Sequence, residues 1–270
     1  MTFSYTWLDL VKSTRYFGER VEVRGKMTRE TLQRTIHVDM RKPVLMVPNR
    51  KMSYTFALAE AHWILTGDNR VETIKPYNER IADFSDDGKV FFGAYGPKIM
   101  DQIKYVVDKL CQDSMTRQAG LNIWRENPPP TKDLPCTIAM FFNIRKGQLN
   151  AHVFMRSSDI WLGIPYDVFN FSMVAHAVCA LYNIQLAEAD SVSPGTLYLT
   201  AASSHLYETD MENVNKVLND PGIIAECLPT PEFMYKDPRS LIDHLEHLKD
   251  LPPTSKARWW NQEYLKVLTK

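Results

Sequence analysis

The stretch from Val168 to Leu181 constrains the fold more than any other part of this chain. Phe169, Phe171, Met173, Val174, Ala177, Val178 and Leu181 cover nearly the whole circumference of a helix, leaving no polar stripe for solvent. A helix that is apolar all round has to be enclosed on every side by other elements. The chain, at 270 residues with 44% hydrophobic content, is long enough to build that enclosure as one large domain or two small ones. No apolar run reaches the ~18 residues of a membrane span, and Met1-Thr2-Phe3-Ser4-Tyr5 lacks the basic stretch and apolar core of a signal segment. We therefore expect a cytoplasmic protein without membrane contact.

Around this helix the pattern is mixed. Thr137 to Arg145 reads as a strand, Lys146-Gly147-Gln148 as a turn and Leu149 to Met155 as a second strand, giving a hairpin. Helical spacing predicts Tyr54 to Leu65 and Asp101 to Cys111 as further helices. Pro128-Pro129-Pro130 and Pro135 mark a loop leading into Cys136, and Pro252-Pro253 a break before a C-terminal tail. Strands and helices do not alternate regularly, which favours an α+β fold. The 32 basic residues balance 32 acidic ones. That balance argues against direct nucleic-acid binding but leaves room for a small basic pocket. The four cysteines are scattered and read as free thiols, the histidines show no metal-ligand spacing, and no glycine-rich phosphate loop is present. No metal is expected.

Several residues have chemistry to offer, each beside a plainer reading. Cys136 opens a strand after Leu134-Pro135, either as a buried apolar cysteine or as a nucleophile whose thiolate is favoured by Arg156 at the end of the hairpin's second strand. Glu60 has Phe56, Ala57, Trp63 and Ile64 at helical spacing, which puts a carboxylate on an apolar face. It forms an ion pair, turns to the surface, or serves as a perturbed general acid or base. The segment from Arg156 to Asp167 gathers a cation, two hydroxyls and carboxylates into a link between strand and helix at a sheet edge, suited to a polar ligand. Asp167 itself, directly before the apolar run, also fits a helix N-cap. His205 and Tyr207 share one face of an extended segment, as ordinary structure or as a binding pair.

Taken together, these pieces resemble the thymidylate synthase and pyrimidine hydroxymethylase superfamily from about Tyr5 to Tyr207. Leu134-Pro135-Cys136 is similar to its nucleophile motif, Arg156-Ser157-Ser158-Asp159 and Leu162-Gly163-Ile164-Pro165 to its nucleotide and folate loop, and His205-Leu206-Tyr207 to its ribose motif. Glu60, Trp63 and Gly67-Asp68 match its acidic helix, and Gly93-Ala94-Tyr95-Gly96 its tyrosine loop. The resemblance implies a single catalytic domain over residues 1–270, with a mixed sheet and a buried central helix, and a homodimer whose sheets pack back to back. It implies Cys136 as nucleophile toward C6 of a pyrimidine nucleoside monophosphate, with Arg24, Arg156 and Ser157 on the phosphate and Arg117 reaching in from the partner chain. His205 and Tyr207 would contact the sugar. Glu60 would order water and move protons, Tyr95 would assist proton removal from C5, and Asp159, Gly163 and Tyr77 would face the co-substrate 5,10-methylenetetrahydrofolate.

The departures from the synthase pattern carry the finer expectation. Synthases end the loop motif with asparagine, whose amide matches uracil; here the position is Asp167, and Met155 stands where glutamine is usual. A carboxyl group suits the N3 and exocyclic amine of cytosine. This is the pattern of phage-type deoxycytidylate hydroxymethylases, whose product serves the modification of viral DNA precursors. Tyr77-Asn78-Glu79-Arg80 replaces a tryptophan-bearing wall, Arg117 is followed by Gln118 where a second arginine is usual, and the tail from about 252 to 270 does not match the synthase closing segment. The expectation is thus a folate-dependent deoxycytidylate 5-hydroxymethyltransferase. Its rivals are a deoxycytidylate methyltransferase, a deoxyuridylate or cytidylate hydroxymethylase, and a non-catalytic nucleotide- or RNA-binding homologue.

Overall fold

The structure is a computed structural model, and it describes residues 2–186 and 190–250. In chain order its elements are α1 (Phe3–Phe17), β1 (Glu19–Val23), β2 (Lys26–Asp39), α2 (Tyr54–Leu65), α3 (Val71–Ile74), α4 (Tyr95–Gln112), β3 (Gly120–Asn122), β4 (Thr137–Arg145), β5 (Gln148–Asp159), α5 (Ile164–Asn183), β6 (Ser193–Tyr207), α6 (Met211–Asn219), α7 (Phe233–Lys236) and α8 (Pro238–Asp250). The divergent tail anticipated from about 252 to 270 lies outside the described residues.

Six strands form one mixed sheet in the order β1-β2-β6-β5-β4-β3. All neighbours are antiparallel except β5 and β6, which run parallel and are joined through α5. A parallel pair needs such a crossover, whereas antiparallel strands close through tight turns. Both hairpin turns have two residues with positive φ, Arg24-Gly25 (51° and 74°) and Lys146-Gly147 (52° and 69°). That is the twist-compatible geometry for which glycine is the natural second residue.

The sequence pattern explains the layers. Along β5, Leu149, Ala151, Val153 and Met155 are buried while Asn150, His152 and Phe154 face the other way. Helix α5 packs on β5 and β6 and is flanked by α2, α4, α7 and α8. Sixteen of its twenty residues are buried, from Ile164 to Tyr182. By length and composition α5 alone among the described helices passes for a membrane span, contrary to the expectation that no stretch would, but it is the core helix. Each fully enclosed Phe, Val or Met contributes about 1.5–3 kcal/mol of transfer free energy, so this one helix organises the core. Among the described residues the opposite sheet face is open, with Leu32, Phe141 and Phe154 exposed beside a ring row in which His37 and His152 each lie 4.8 Å from Tyr198.

Three local expectations need correction. Arg156 to Asp159 do not form a loop at a sheet edge, because β5 continues to Asp159, pairs with β6 and lies inside the sheet. Asp167 is not an N-cap, since α5 begins at Ile164 after Gly163 and places Asp167 within its first turn. Pro165 in that first turn sets the earlier start, because proline there loses no helical hydrogen bond. Tyr95 is likewise the first residue of α4, which starts six residues before the expected Asp101.

Candidate active site

The ends of three strands meet the starts of two helices at one end of the sheet. Parallel pairing sets Ser157 beside Ser203 and Asp159 beside His205, antiparallel pairing sets Thr137 beside Met155, and Tyr207 pairs with Thr28 near the Arg24 turn. Cys136, Arg156, Ser157, Asp159, His205 and Tyr207 therefore arrive together, although 71 positions separate the first from the last.

Cys136 is half-buried at the mouth of β4, and its backbone carbonyl accepts the Arg156 N–H at 2.8 Å. The Ser157 hydroxyl donates to its Sγ at 3.8 Å. Arg156 is fixed by donating to the carbonyls of Pro135 (3.1 Å) and Leu134 (3.0 Å), with a further bond to the Ser157 hydroxyl at 3.2 Å. Burial pushes the Cys136 thiol up, against the opposing pull of Arg156 and Ser157. The expected guanidinium is present, but burial outweighs it and the sulfur keeps its proton.

Tyr95 faces the same sulfur. Its phenol oxygen accepts the Thr137 N–H at 3.4 Å and its ring stacks on Phe171 with centroids 6.1 Å apart. Burial, then the charges of Asp167 and Cys136, push its phenol far above the ordinary range. The segment before it is tied to the nucleophile loop by the Gly93 N–H, which donates to Asp133 Oδ2 at 2.7 Å. Only glycine permits this approach, because a Cβ there would lie 2.3 Å from the Asp133 carbonyl oxygen.

Three carboxyl groups complete the site. Glu60, on α2, is pushed up to about 7 by burial, partly offset by a hydrogen bond of 2.7 Å from Asn170 Nδ2 to its Oε2. The partner that an apolar helix face requires is thus an amide, not a cation. Asp159 ends β5 with Oδ1 accepting the N–H groups of Trp161 (2.8 Å) and Leu162 (2.9 Å). Burial still raises it to about 6. Asp167 is raised well above the ordinary carboxylate range by burial, then by the charges of Glu60 and Asp159. Among the described residues no cation pairs with Glu60, Asp159 or Asp167. Gly163 fits between two of them: a Cβ would lie 2.9 Å from the Asp159 carbonyl oxygen and 3.2 Å from Asp167 Oδ2.

On the other flank His205 and Tyr207 meet edge to face at 5.1 Å, and the charges of both Arg24 and Arg156 act on the Tyr207 phenol. Arg24 is exposed in its turn, and Lys26 Nζ lies 5.6 Å from the Tyr207 ring centre. This flank suits a dianion, and the carboxyl flank suits a base that accepts and returns protons. Two predicted residues stand apart. Arg117 is exposed beyond α4 in a segment that packs near Arg145, at the far end of β4, roughly 30 Å along the strand from Cys136. Tyr77 is half-buried at the end of a 3₁₀ turn, Lys75–Tyr77, beside α2. An open cavity of about 550 Å³ lies at the opposite end of β2, between Asp9, Arg34 and Arg41, away from this chemistry.

Sequence reasoning missed Asn170, whose only signal was a lone amide in an apolar run. It also missed Arg50, a buried cation that donates to the Trp161 carbonyl at 2.7 Å and lies over the Trp161 ring at 4.6 Å. Thr137 was missed as well; its Oγ1 is buried next to Cys136 without a partner among the described residues.

A thiol between an arginine and a hydroxyl, facing a set of proton-holding carboxyls, defines a site for covalent addition to an anionic, electrophilic ring. The chain belongs to the thymidylate synthase family, whose model matches residues 5–245. It is 27% identical over 267 residues to a deoxyuridylate hydroxymethyltransferase of Bacillus phage SP01, covering 88% of this chain and 65% of that protein. It is also 25% identical over 255 residues to the thymidylate synthase of Buchnera aphidicola subsp. Schizaphis graminum, covering 88% of this chain and 90% of that one. The chain thus spans just under two thirds of the first relative's length and most of the second's.

Proposed function

We propose that this protein transfers a one-carbon unit from methylenetetrahydrofolate to C5 of dCMP and completes the reaction with water, giving 5-hydroxymethyl-dCMP. The observation that carries this reading is Asp167: a carboxyl, raised by burial and by Glu60 and Asp159 until it keeps its proton, in the first turn of α5 beside the candidate nucleophile. A protonated carboxyl donates to cytosine N3 through its hydroxyl and accepts the exocyclic amine through its carbonyl.

Each residue then has a step. Arg24, Arg156 and Ser157 hold the phosphate, and His205 with Tyr207 holds the sugar. The Cys136 sulfur adds to C6 after losing its proton, with Arg156 and Ser157 stabilising the developing thiolate. Electron density driven onto N3 is met by the Asp167 proton. Methylenetetrahydrofolate, for which Asp159 and the narrow backbone at Gly163 form a fitting wall, supplies carbon at the formaldehyde level. C5 bonds to that carbon; Tyr95, too weak an acid to act as phenolate, then relays the C5 proton away as the carbon–nitrogen bond to the folate breaks, so tetrahydrofolate leaves with that electron pair and a methylene group remains on the ring. Water adds to that methylene carbon as Glu60 takes its proton, and the π pair moves onto C4–N3. The pair then returns to restore C5=C6 and expel the Cys136 thiolate, and Asp167 recovers its proton. No hydride is needed. The segment Tyr77-Asn78-Glu79-Arg80, near the α2 helix that carries Glu60, lacks the tryptophan of the synthase wall, which favours the entry of water.

We further propose a homodimer, in which the open apolar sheet face is covered by a second copy and Arg117 completes the phosphate site of its partner. The relative named for deoxyuridylate favours a second reading, hydroxymethylation of dUMP. Supplying methylenetetrahydrofolate with dCMP, dUMP or CMP in turn separates them: dCMP is expected to turn over fastest, and turnover confined to dUMP would install the second reading.

A further inference from the structure

Helix α5 carries an amide in its buried core beside the site. Asn170 is 4% exposed and lies one turn beyond Asp167, so both side chains point to the same face. Its Nδ2 donates to Glu60 Oε2 at 2.7 Å, while its Oδ1 is buried without a partner among the described residues. A buried acceptor left unpaired costs as much as a lost hydrogen bond, so such an atom calls for an explanation. Packing supplies none, since Phe169 and Phe171 on either side show that the helix takes apolar residues here.

Resting on the hydroxymethylase reading, we propose that Asn170 is a positioning residue for the water step: its N–H holds the Glu60 carboxylate, and its carbonyl is the second acceptor for the water that Glu60 activates. A water attacking carbon must aim a lone pair at that carbon and give both hydrogens to acceptors. Glu60 takes one of them. Oδ1 is bonded to the same carbon as Nδ2, so it lies within about 5 Å of Oε2, a separation that one water spans with two ordinary hydrogen bonds. The titratable groups facing Glu60 are Asp167 and Tyr166 on α5; Asp159 of β5 acts on Asp167, which in turn acts on Tyr95 of α4. No cation among them holds Glu60 ionised, which leaves that task to the amide. In the step itself the water oxygen bonds to the methylene carbon, its proton passes to Glu60, and the π pair moves to C4–N3 before expelling Cys136. Nothing is oxidised or reduced.

The test compares wild type with Asn170→Leu and Asn170→Ser at a series of pH values, following tritium release from C5 of dCMP and formation of hydroxymethylated nucleotide separately. In Asn170→Leu the hydroxymethyl product is expected to form about tenfold or more slowly near neutrality, while tritium release and the KM for dCMP change by less than about threefold. The acidic limb of product formation should move to higher pH, because Glu60 has lost the donor that favours its ionised form. Asn170→Ser, which keeps a donor and an acceptor, should recover part of the rate and supplies the same readouts if Asn170→Leu does not fold. An unmoved acidic limb, or equal slowing of both steps, overturns the proposal while leaving the hydroxymethylase reading intact. A wild-type enzyme that makes no hydroxymethylated nucleotide overturns both.

Discussion

Asp167→Asn is the substitution on which the choice of base turns. Asp167 and its replacement have the same shape but different hydrogen-bonding capacity. The protonated carboxyl offers cytosine one donor and one acceptor; the amide in its most natural orientation gives its N–H to uracil O4 and takes the uracil N3–H. Held in that orientation the amide meets cytosine with its N–H against the exocyclic amine and its oxygen against N3, leaving two buried polar groups unpaired at about 1–3 kcal/mol each. Two such mismatches amount to roughly 3–4 kcal/mol, so the dCMP/dUMP ratio of kcat/KM should fall by about 10²–10³. The proton adds a second signature. A neutral carboxyl can also turn to uracil, with its carbonyl accepting N3–H and its hydroxyl donating to O4, whereas an ionised carboxylate repels O4. Asp167 is pushed up by burial and by Glu60 and Asp159, so it is neutral at low pH and ionises as pH rises. An ionised carboxylate likewise meets N3 of cytosine without a proton, so wild-type kcat/KM for dCMP should fall as pH rises through the Asp167 ionisation, and Asp167→Asn should lack that limb. Steady-state kinetics with both nucleotides, kept below the pH at which uracil itself ionises, measure this, and comparing the two proteins cancels the shared phosphate and the Cys136 thiol. A variant that keeps the wild-type preference, or the same basic limb in both proteins, would refute the reasoning.

Other consequences are open to direct measurement. Glu60 titrates at about 7 folded against about 4.5 unfolded, so between those values the folded state holds a proton that the unfolded state has lost. Stability should fall as pH rises through that window, by roughly 2–3 kcal/mol. Urea unfolding at about pH 5 and pH 8 checks this, and Glu60→Gln should shrink the difference by about that amount, leaving the shares of Asp159 and Asp167, while abolishing the hydroxymethyl product. Gly163→Ala places a methyl group against the Asp159 carbonyl and the Asp167 carboxyl. It should lower kcat/KM for dCMP by about tenfold or more with only a modest drop in Tm, read by kinetics and thermal melts. Arg117→Ala and Cys136→Ser should each be nearly inactive alone, yet refolding a mixture of the two should restore activity, because one mixed-dimer site then has both an intact thiol and a partner arginine. Failure to complement would confine Arg117 to another role.

The legible parts of this chain were those governed by periodicity. The apolar circumference of α5 and the alternation of β4 with β5 announced a buried helix beside a hairpin, and their contact with the site followed from chain order. What escaped was set by partners distant in sequence. Arg156 to Asp159 lack strand alternation, and they are extended because β6 pairs with them while their polar side chains face the site. Asp167 resembled a cap because a carboxyl before an apolar run is the common signal; the helix start at Ile164 depends on Pro165 and on Gly163 fitting against Asp159. Gly93-Ala94-Tyr95-Gly96 read as a loop, although Tyr95 begins α4 and Pro97 is tolerated in its first turn. Asn170 was visible as an amide among apolar residues, but Glu60, its partner, lies 110 positions away. Arg50 gave no signal, because its use is defined by the Trp161 carbonyl and ring.

The central claim is that water, not hydride, completes the reaction on a cytosine ring. Turnover of dCMP with methylenetetrahydrofolate in ¹⁸O-labelled water, followed by mass analysis of the nucleotide and the folate, tests it most directly. The account predicts 5-hydroxymethyl-dCMP carrying one ¹⁸O, with tetrahydrofolate released in equal amount. A methylated nucleotide with dihydrofolate would contradict it.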